Sequence, residues 1–261
     1  KEKNRDFLNF VIEHGCGLDE EVFASAIFYG TIDLLKYLYK KGCPWDEQTS
    51  LNAVKLGNLQ YLRYVLSNGC PCNKEASNVA SLYQYSDCLK YLVENNYPVG
   101  IAMKNSLKLL NIDCIKLLHE NNIVWENDTI ECLIESNSRM IRNDGKYSYQ
   151  HHNKYIHCKE YFECLKYALD NGAPYDDRML ELAVELEDFP ALQLLHEKGF
   201  KFRENFCEKI LGNLKKFSPK HAKCLNYAIV NGCTEVKFPE IIGSDSDNDP
   251  YYSDNDPYYS D

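Results

Sequence analysis

The chain repeats a segment of about 27 residues, and this repeat limits its fold more than any other feature of the sequence. Nine-residue segments of the form LLKYLYKKG (34–42) recur, each closing in Gly or Asn, and we call these closing residues the anchors: Gly15, Gly42, Gly69, Asn96, Asn122, Gly172, Gly199 and Gly232. Successive anchors are 27, 27, 27, 26, 50, 27 and 33 residues apart, so the step of 50 contains one repeat and an insertion. Eight copies of one unit predict a repeat architecture, in which each unit packs against its neighbours.

Each nine-residue segment is predicted to be an amphipathic helix. In the copy at 34–42, Leu34, Leu35 and Leu38 form one apolar stripe, and a closing Gly or Asn suits a left-handed helix C-cap. A first helix precedes each of these second helices, with an Asp or Asn N-cap and a small residue at the helix contact. The N-caps are Asp19, Asp46, Asn73 and Asp176, and the small residues are Ala26, Ala53, Ala80 and Ala183. The sequence therefore predicts an all-α solenoid of about eight helix–turn–helix repeats over residues 1–242.

The N-terminal edge of this pattern is incomplete. Residues 1–15 contain the second helix of a unit that ends at Gly15, but no first helix. Solenoids normally end in units with a polar outer face, whereas Phe7, Leu8 and Phe10 lack an N-terminal partner. We therefore expect the chain to be a fragment of a longer repeat protein.

Two stretches of the repeat resemble ankyrin repeats. Thr49–Leu59 (TSLNAVKLGNL) is similar to the ankyrin consensus T-P-L-H-x-A-x-x-G-H-L, and Leu62–Cys70 is similar to the ankyrin second helix with its closing Gly-Ala. The GCPWD stretch at Gly42–Asp46 resembles the divergent, short ankyrin-type repeats common in giant DNA viruses of amoebae. The resemblance covers about residues 5–235 outside the insertion. A tetratricopeptide-type solenoid, with its period of 34, fits less well.

The units depart from ankyrin repeats in their length, since ankyrin units have 33 residues. The missing six residues lie after the anchor, where ankyrin repeats carry a projecting β-hairpin finger. The resemblance and the architecture both imply a protein–protein interaction scaffold with no catalysis of its own. Two alternatives remain open: an adaptor that recruits substrates to a host ubiquitin ligase, and a self-associating structural or virion protein.

The third residue after each anchor is usually apolar: Leu18, Trp45, Cys72, Val99, Trp125, Tyr175, Phe202 and, as the exception, Glu235. This column either packs loop against loop or forms a stripe that binds a partner, because Trp and Tyr are enriched at interface hot spots. The candidate partner-binding residues are Trp45, Trp125, Tyr175 and Phe202. His119 and His196 share one repeat position, which explains them better than catalysis does.

The insertion, at about 137–160, is predicted to be a loop. It is basic and contains the metal-ligand types His and Cys at His151, His152, His157 and Cys158. Their spacing matches no standard zinc site, so we expect no metal and no cofactor. A solvated loop and a partner-contacting loop are the two other interpretations.

Eight of the twelve cysteines also occupy two repeat positions, directly after an anchor or eight residues before one. Such use predicts small, buried, apolar side chains in a reducing compartment. We therefore expect a cytoplasmic protein, which for a viral chain means the host cytoplasm.

The last 19 residues, 243–261, have a different composition. They contain six Asp, no Lys or Arg, and the sequence SDNDPYY twice, which predicts a disordered acidic tail. Ser244, Ser246 and Ser253 each have Asp at +1 and +3, a context that acidophilic kinases accept. The net charge of −10 argues against nucleic-acid binding, and no apolar stretch is long enough to span a membrane. We expect a monomer with protein partners.

Overall fold

A computed structural model describes residues 17–142, 154–176 and 178–239. Within these ranges the chain forms fourteen helices and no strand, which confirms the prediction of an all-helical fold. The half-unit that ends at Gly15, the centre of the insertion and the acidic tail 243–261 lie outside the described residues.

The helices follow one another at short intervals in the chain. In unit 1, residues Lys1–Asp176, they are α1 (Glu20–Tyr29), α2 (Ile32–Lys40), α3 (Glu47–Lys55), α4 (Leu59–Ser67), α5 (Lys74–Leu82), α6 (Ser86–Glu94), α7 (Ala102–Lys108), α8 (Ile112–Glu120), α9 (Thr129–Arg142) and α10 (Lys154–Asp170). In unit 2, residues Asp177–Asp261, they are α11 (Arg178–Glu185), α12 (Phe189–Glu197), α13 (Phe206–Asn213) and α14 (Pro219–Val230).

Three of the four predicted N-caps directly precede a helix, and α11 begins at Arg178, two residues after the fourth, Asp176. Asp19, Asp46 and Asn73 each accept a hydrogen bond from a backbone N–H in the first turn of the following helix. All seven described anchors have left-handed backbone, with φ from 59° at Asn96 to 114° at Gly232. Because this conformation ends a helix and costs least with Gly or Asn, the recurring closing residue sets the length of each second helix.

In unit 1 the helices pack as stacked pairs. The odd-numbered first helices α1, α3, α5, α7 and α9 each contact the next, and the even-numbered helices α4, α6, α8 and α10 do the same. Ala26, Ala53 and Ala80 are 0–8% exposed, as the close approach of the first helices requires. The core between the two layers contains mainly Leu, Ile and Val side chains, with buried Ala and Cys among them. This arrangement is compatible with a helical-repeat solenoid.

Unit 2 has its own core. Helix α11 contacts α12, α13 and α14, and α14 also packs against α12 and α13. Ala183, the counterpart of the small residues in unit 1, is fully buried. Leu192, Leu195 and Leu225 fill the space between the helices.

The helices extend into the predicted insertion loop from both sides. Helix α9 continues to Arg142 and α10 begins at Lys154, so the loop boundaries expected near 137 and 160 are too wide. The Ser-rich end of α9 stays helical because it is packed: Asn137 and Ser138 are each 7% exposed, and Ser136 Oγ donates to the Cys132 carbonyl oxygen at 2.6 Å. Local hydrogen bonds of this kind satisfy buried polar groups without ending the helix.

Candidate functional site

In unit 1 the loops that follow the anchors form one edge of the helix stack, which we call the anchor edge. Here Trp45 stacks on Tyr39 with ring centroids 4.7 Å apart, and its edge meets Phe23 at 5.1 Å. Tyr39 in turn contacts Tyr64 of the next second helix at 6.4 Å. The side chain of Trp45 is half-buried, and its ring joins the loop before α3 to α1 and α2.

A second ring cluster surrounds Trp125. Its indole stacks on His119 at 4.7 Å and meets the edge of Tyr167 on α10 at 6.3 Å. The indole N–H donates to the Asn171 carbonyl oxygen at 2.9 Å. His119 Nδ1 lies 3.1 Å from the Tyr167 hydroxyl, within hydrogen-bond distance. The cluster therefore joins α8 and its following loop to α10.

Unit 2 repeats this cluster with one substitution. His196, Phe202 and Tyr227 occupy the positions of His119, Trp125 and Tyr167. His196 Nδ1 lies 2.9 Å from the Tyr227 hydroxyl, and the His196 and Phe202 rings are 5.0 Å apart. Two independent copies of one arrangement support the interpretation of both histidines as repeat positions.

The four candidate partner-binding residues thus fall into two groups. Trp45, Trp125 and Phe202 are half-buried in ring clusters, which favours the packing alternative for these three. Tyr175 is 58% exposed, so most of its ring faces solvent. Within unit 1, Trp45 and Trp125 belong to separate ring clusters, and Phe202 belongs to a cluster of unit 2.

The opposite edge of the stack carries exposed apolar residues that the sequence analysis missed. The turns between the first and second helices of three successive pairs form this turn edge, and its exposed side chains are the apolar row: Phe28 (42% exposed), Tyr29 (92%), Leu56 (41%), Leu82 (53%) and Tyr83 (57%). These residues close α1, α3 and α5, which pack side by side, so the side chains lie in succession. With helices about 9 Å apart, the row spans roughly 20 Å.

Contacts between tyrosine side chains and glycines fix the backbone of the turn edge. Tyr85 packs its ring against Gly57, where an added Cβ would lie 2.9 Å from a ring carbon, and it stacks on Tyr83 with centroids 5.9 Å apart. The Tyr61 hydroxyl donates to the Gly30 carbonyl oxygen at 3.2 Å. The row is therefore presented on an ordered framework.

One signal in the sequence could have revealed the apolar row: an apolar residue recurs thirteen or fourteen residues before the anchors Gly42, Gly69 and Asn96.

In each unit, cysteines that directly follow an anchor join neighbouring repeats. Directly after their anchors, Cys43, Cys70 and Cys233 donate Sγ–H to the carbonyl oxygens of Asp19, Asp46 and Arg203, at 3.4, 3.3 and 3.5 Å. The ten cysteines whose side chains the structure describes are free thiols, and nine of them are buried, which confirms the prediction of small buried side chains. Burial raises the pKa of Cys70 to about 12 and that of Cys43 to about 11, so both thiols stay protonated.

The described residues contain no group of three side chains that could together hold a metal ion. Of the insertion residues with metal-ligand chemistry, His157 and Cys158 fall within the backbone of α10, while His151 and His152 lie outside the described ranges. None of the described helices combines the length and apolar character needed to cross a bilayer.

Comparison with models of known protein families gives no match for this chain, and comparison with curated proteins gives none either. Evidence for a function therefore comes from the two edges of the helix stack, with the ring clusters at one and the exposed apolar row at the other.

Proposed function

We propose that the chain is a protein–protein interaction scaffold of short ankyrin-like repeats, and that the apolar row of unit 1 is its docking surface. The observation that carries this proposal is the exposure of Phe28, Tyr29, Leu56, Leu82 and Tyr83 at one edge of packed helix pairs. Single exposed apolar side chains are common on proteins, whereas a contiguous set marks an interaction surface more often.

The chemistry of the row defines the kind of partner. Three of its five side chains are aromatic, and aromatic residues contribute most to interfaces when the partner covers them with apolar groups. The Tyr29 and Tyr83 hydroxyls add hydrogen-bonding capacity at the rim. We therefore infer a protein partner that presents aliphatic or aromatic side chains in a line of roughly 20 Å, about two helix spacings.

The architecture supports a scaffold of this kind. Each helix pair contributes one short segment of surface at the same place, and stacking the pairs extends that surface without requiring a cavity. The left-handed anchors and the recurring cap positions support an assignment of about eight ankyrin-like units. Tyr175, as the exposed member of the anchor-edge column, is a second candidate contact.

The experiment compares three variants of the full chain in quantitative affinity capture from the native cell, followed by binding measurements with the purified captured protein. The row variant Tyr29→Ser/Tyr83→Ser should weaken binding at least tenfold. Tyr175→Ser tests the anchor-edge candidate. Val230→Ser, which removes an 85% exposed side chain elsewhere, is the matched control and should bind as wild type does.

Equal binding by the wild type and the row variant would contradict the proposal. Self-association through the row is a different outcome, visible as a molecular mass that rises with concentration in light scattering. If the wild type shows that rise and the row variant does not, the row is a contact between copies, and the structural-protein alternative replaces the scaffold.

A further inference from the structure

A set of lysines surrounds the point in unit 2 where the described chain ends. The final segment, 234–239, returns to the body of the unit, because Thr234 N–H donates to the Glu204 carbonyl oxygen at 3.1 Å. Phe238 then contacts Phe217, with ring centroids 5.6 Å apart. The chain beyond Pro239 therefore starts beside the connection between α13 and α14.

This connection is rich in positive charge. Lys215 and Lys216 come directly before Phe217, Lys220 lies in the first turn of α14, and Lys237 precedes Phe238. We call these four exposed residues the lysine cluster. Within the described part of the chain, Lys215, Lys216 and Lys237 have no ion-pair partner.

The helix beside the cluster adds to its positive potential. The first turn of α14 holds no acidic residue, unlike that of most helices in the chain, and the N-terminus of a helix carries a partial positive charge. Two carboxylates near this end of α14 are engaged in caps. Glu187 accepts from Ser218 Oγ at 2.7 Å and lies 3.2 Å from His221 Nδ1, and Asp188 accepts from the Ala191 N–H at 3.0 Å. Glu235 is the one acidic residue of the segment 234–239, so the four lysines form a surface with excess positive charge that is suited to further carboxylates.

We propose that the acidic segment 244–261 of this same chain lies against the lysine cluster. The segment has six Asp and no Lys or Arg, so its charge is opposite to that of the cluster. Asp245 is six residues beyond Pro239, and six extended residues reach about 20 Å, which is enough to bring the first carboxylates onto Lys215 and Lys216. Because the end of the chain leaves from the cluster itself, the local concentration of the segment there is high.

The proposal assigns the cluster as a site for acidic peptides that the chain's own tail occupies. An external acidic peptide would have to compete with the tail. Phosphate on Ser244, Ser246 or Ser253 would add negative charge and strengthen the contact. The proposal concerns unit 2 and is independent of the apolar row in unit 1.

Zero-length carbodiimide cross-linking of the full chain, read out by peptide mass spectrometry, tests the proposal. At low salt, amide links should join Asp245, Asp247 or Asp249 to lysines of the cluster. In a mixture of isotopically light and heavy chains the links should be within one molecule. Raising NaCl to about 0.5 M should reduce their yield several-fold, because salt screens exposed charges.

The variant Lys215→Ser/Lys216→Ser separates a bound tail from a nearby one. If the tail is held by charge, its remaining links to Lys220 and Lys237 should fall about fivefold in this variant. Lys40→Ser/Lys41→Ser, which removes two exposed lysines of unit 1, should leave them unchanged. Links spread evenly over exposed lysines, links between different molecules only, or yields that ignore salt and the cluster variant would overturn the proposal.

Discussion

The anchor edge and the turn edge of unit 1 carry similar side chains in different environments. At the anchor edge Trp45 and Trp125 are half-buried, and both stack on a ring six residues earlier in the chain. At the turn edge Tyr29 and Tyr83 are 92% and 57% exposed. Both sets follow the repeat, so recurrence of an aromatic residue does not by itself separate packing from binding. What separates them is how far the neighbouring helices cover the ring.

The largest expected effect is on stability, when a ring is removed from the anchor edge. Trp125→Ala loses the stack on His119 and the hydrogen bond to Asn171, and it should lower the free energy of unfolding by about 2 to 3 kcal/mol. Tyr29→Ser at the turn edge should change it by less than about 0.5 kcal/mol. Urea unfolding followed by circular dichroism measures both. If Trp125→Ala is as stable as the wild type, the ring is not needed for packing, and Trp125 is again a candidate for binding a partner.

Two glycines allow a sharper comparison of the edges. Gly57 at the turn edge and Gly69 at the anchor edge both have left-handed backbone, with φ of 61° and 88°. A Cβ at Gly57 would also lie 2.9 Å from the Tyr85 ring, whereas a Cβ at Gly69 would meet nothing within 4 Å. Gly69→Ala should therefore cost about 1 kcal/mol for the backbone alone, and Gly57→Ala about 2 kcal/mol.

The same unfolding experiment contains its own control. The double variant Gly57→Ala/Tyr85→Ala removes the ring that the new methyl group would meet. If the extra cost arises from that contact, the loss caused by Gly57→Ala should be smaller in the Tyr85→Ala background than in the wild type. If Gly57→Ala and Gly69→Ala lower the free energy of unfolding equally in the wild-type background, the Tyr85 ring does not pack tightly against Gly57.

The sequence predicted the parts of the fold that depend on local chemistry. Caps such as Asp46 and the left-handed anchors follow from single residue types, so their positions could be read directly. The helical ends of the insertion could not, because Asn137 and Ser138 favour turns in isolation and stay helical here through tertiary burial. The recurrence of the apolar row is visible in the sequence, but its exposure is not, since Leu56 and Leu62 look alike until the neighbouring helices are placed.

A smaller effect is expected from single hydroxyl groups in the two equivalent ring clusters. Tyr167→Phe removes the hydroxyl that lies 3.1 Å from His119 Nδ1, and Tyr227→Phe removes the hydroxyl that lies 2.9 Å from His196 Nδ1. Each should lower the free energy of unfolding by about 1 kcal/mol, a typical net value for one hydrogen bond. Amide exchange should locate the loss in α10 for the first variant and in α14 for the second. A loss spread uniformly over the chain would argue against clusters that act between neighbouring repeats.

The smallest expected effect concerns the thiol of Cys70 at the anchor edge and depends on pH. Burial raises the pKa of this thiol from 9.0 to about 12 in the folded chain. Above pH 9 the unfolded chain loses the proton while the folded chain keeps it, so the stabilisation present below pH 9 is lost progressively as pH rises toward 12.

The variant Cys70→Ala tests this pH dependence because it removes the thiol. The decrease in the free energy of unfolding between pH 7 and pH 10 should be about 0.5 kcal/mol smaller in the variant than in the wild type. Cys72→Ala, a half-buried neighbour, is the control and should change that decrease less, because its thiol is more accessible to solvent. An identical pH dependence in the wild type and Cys70→Ala would mean that water reaches this thiol at the anchor edge. The two edges would then not differ in how well they exclude water.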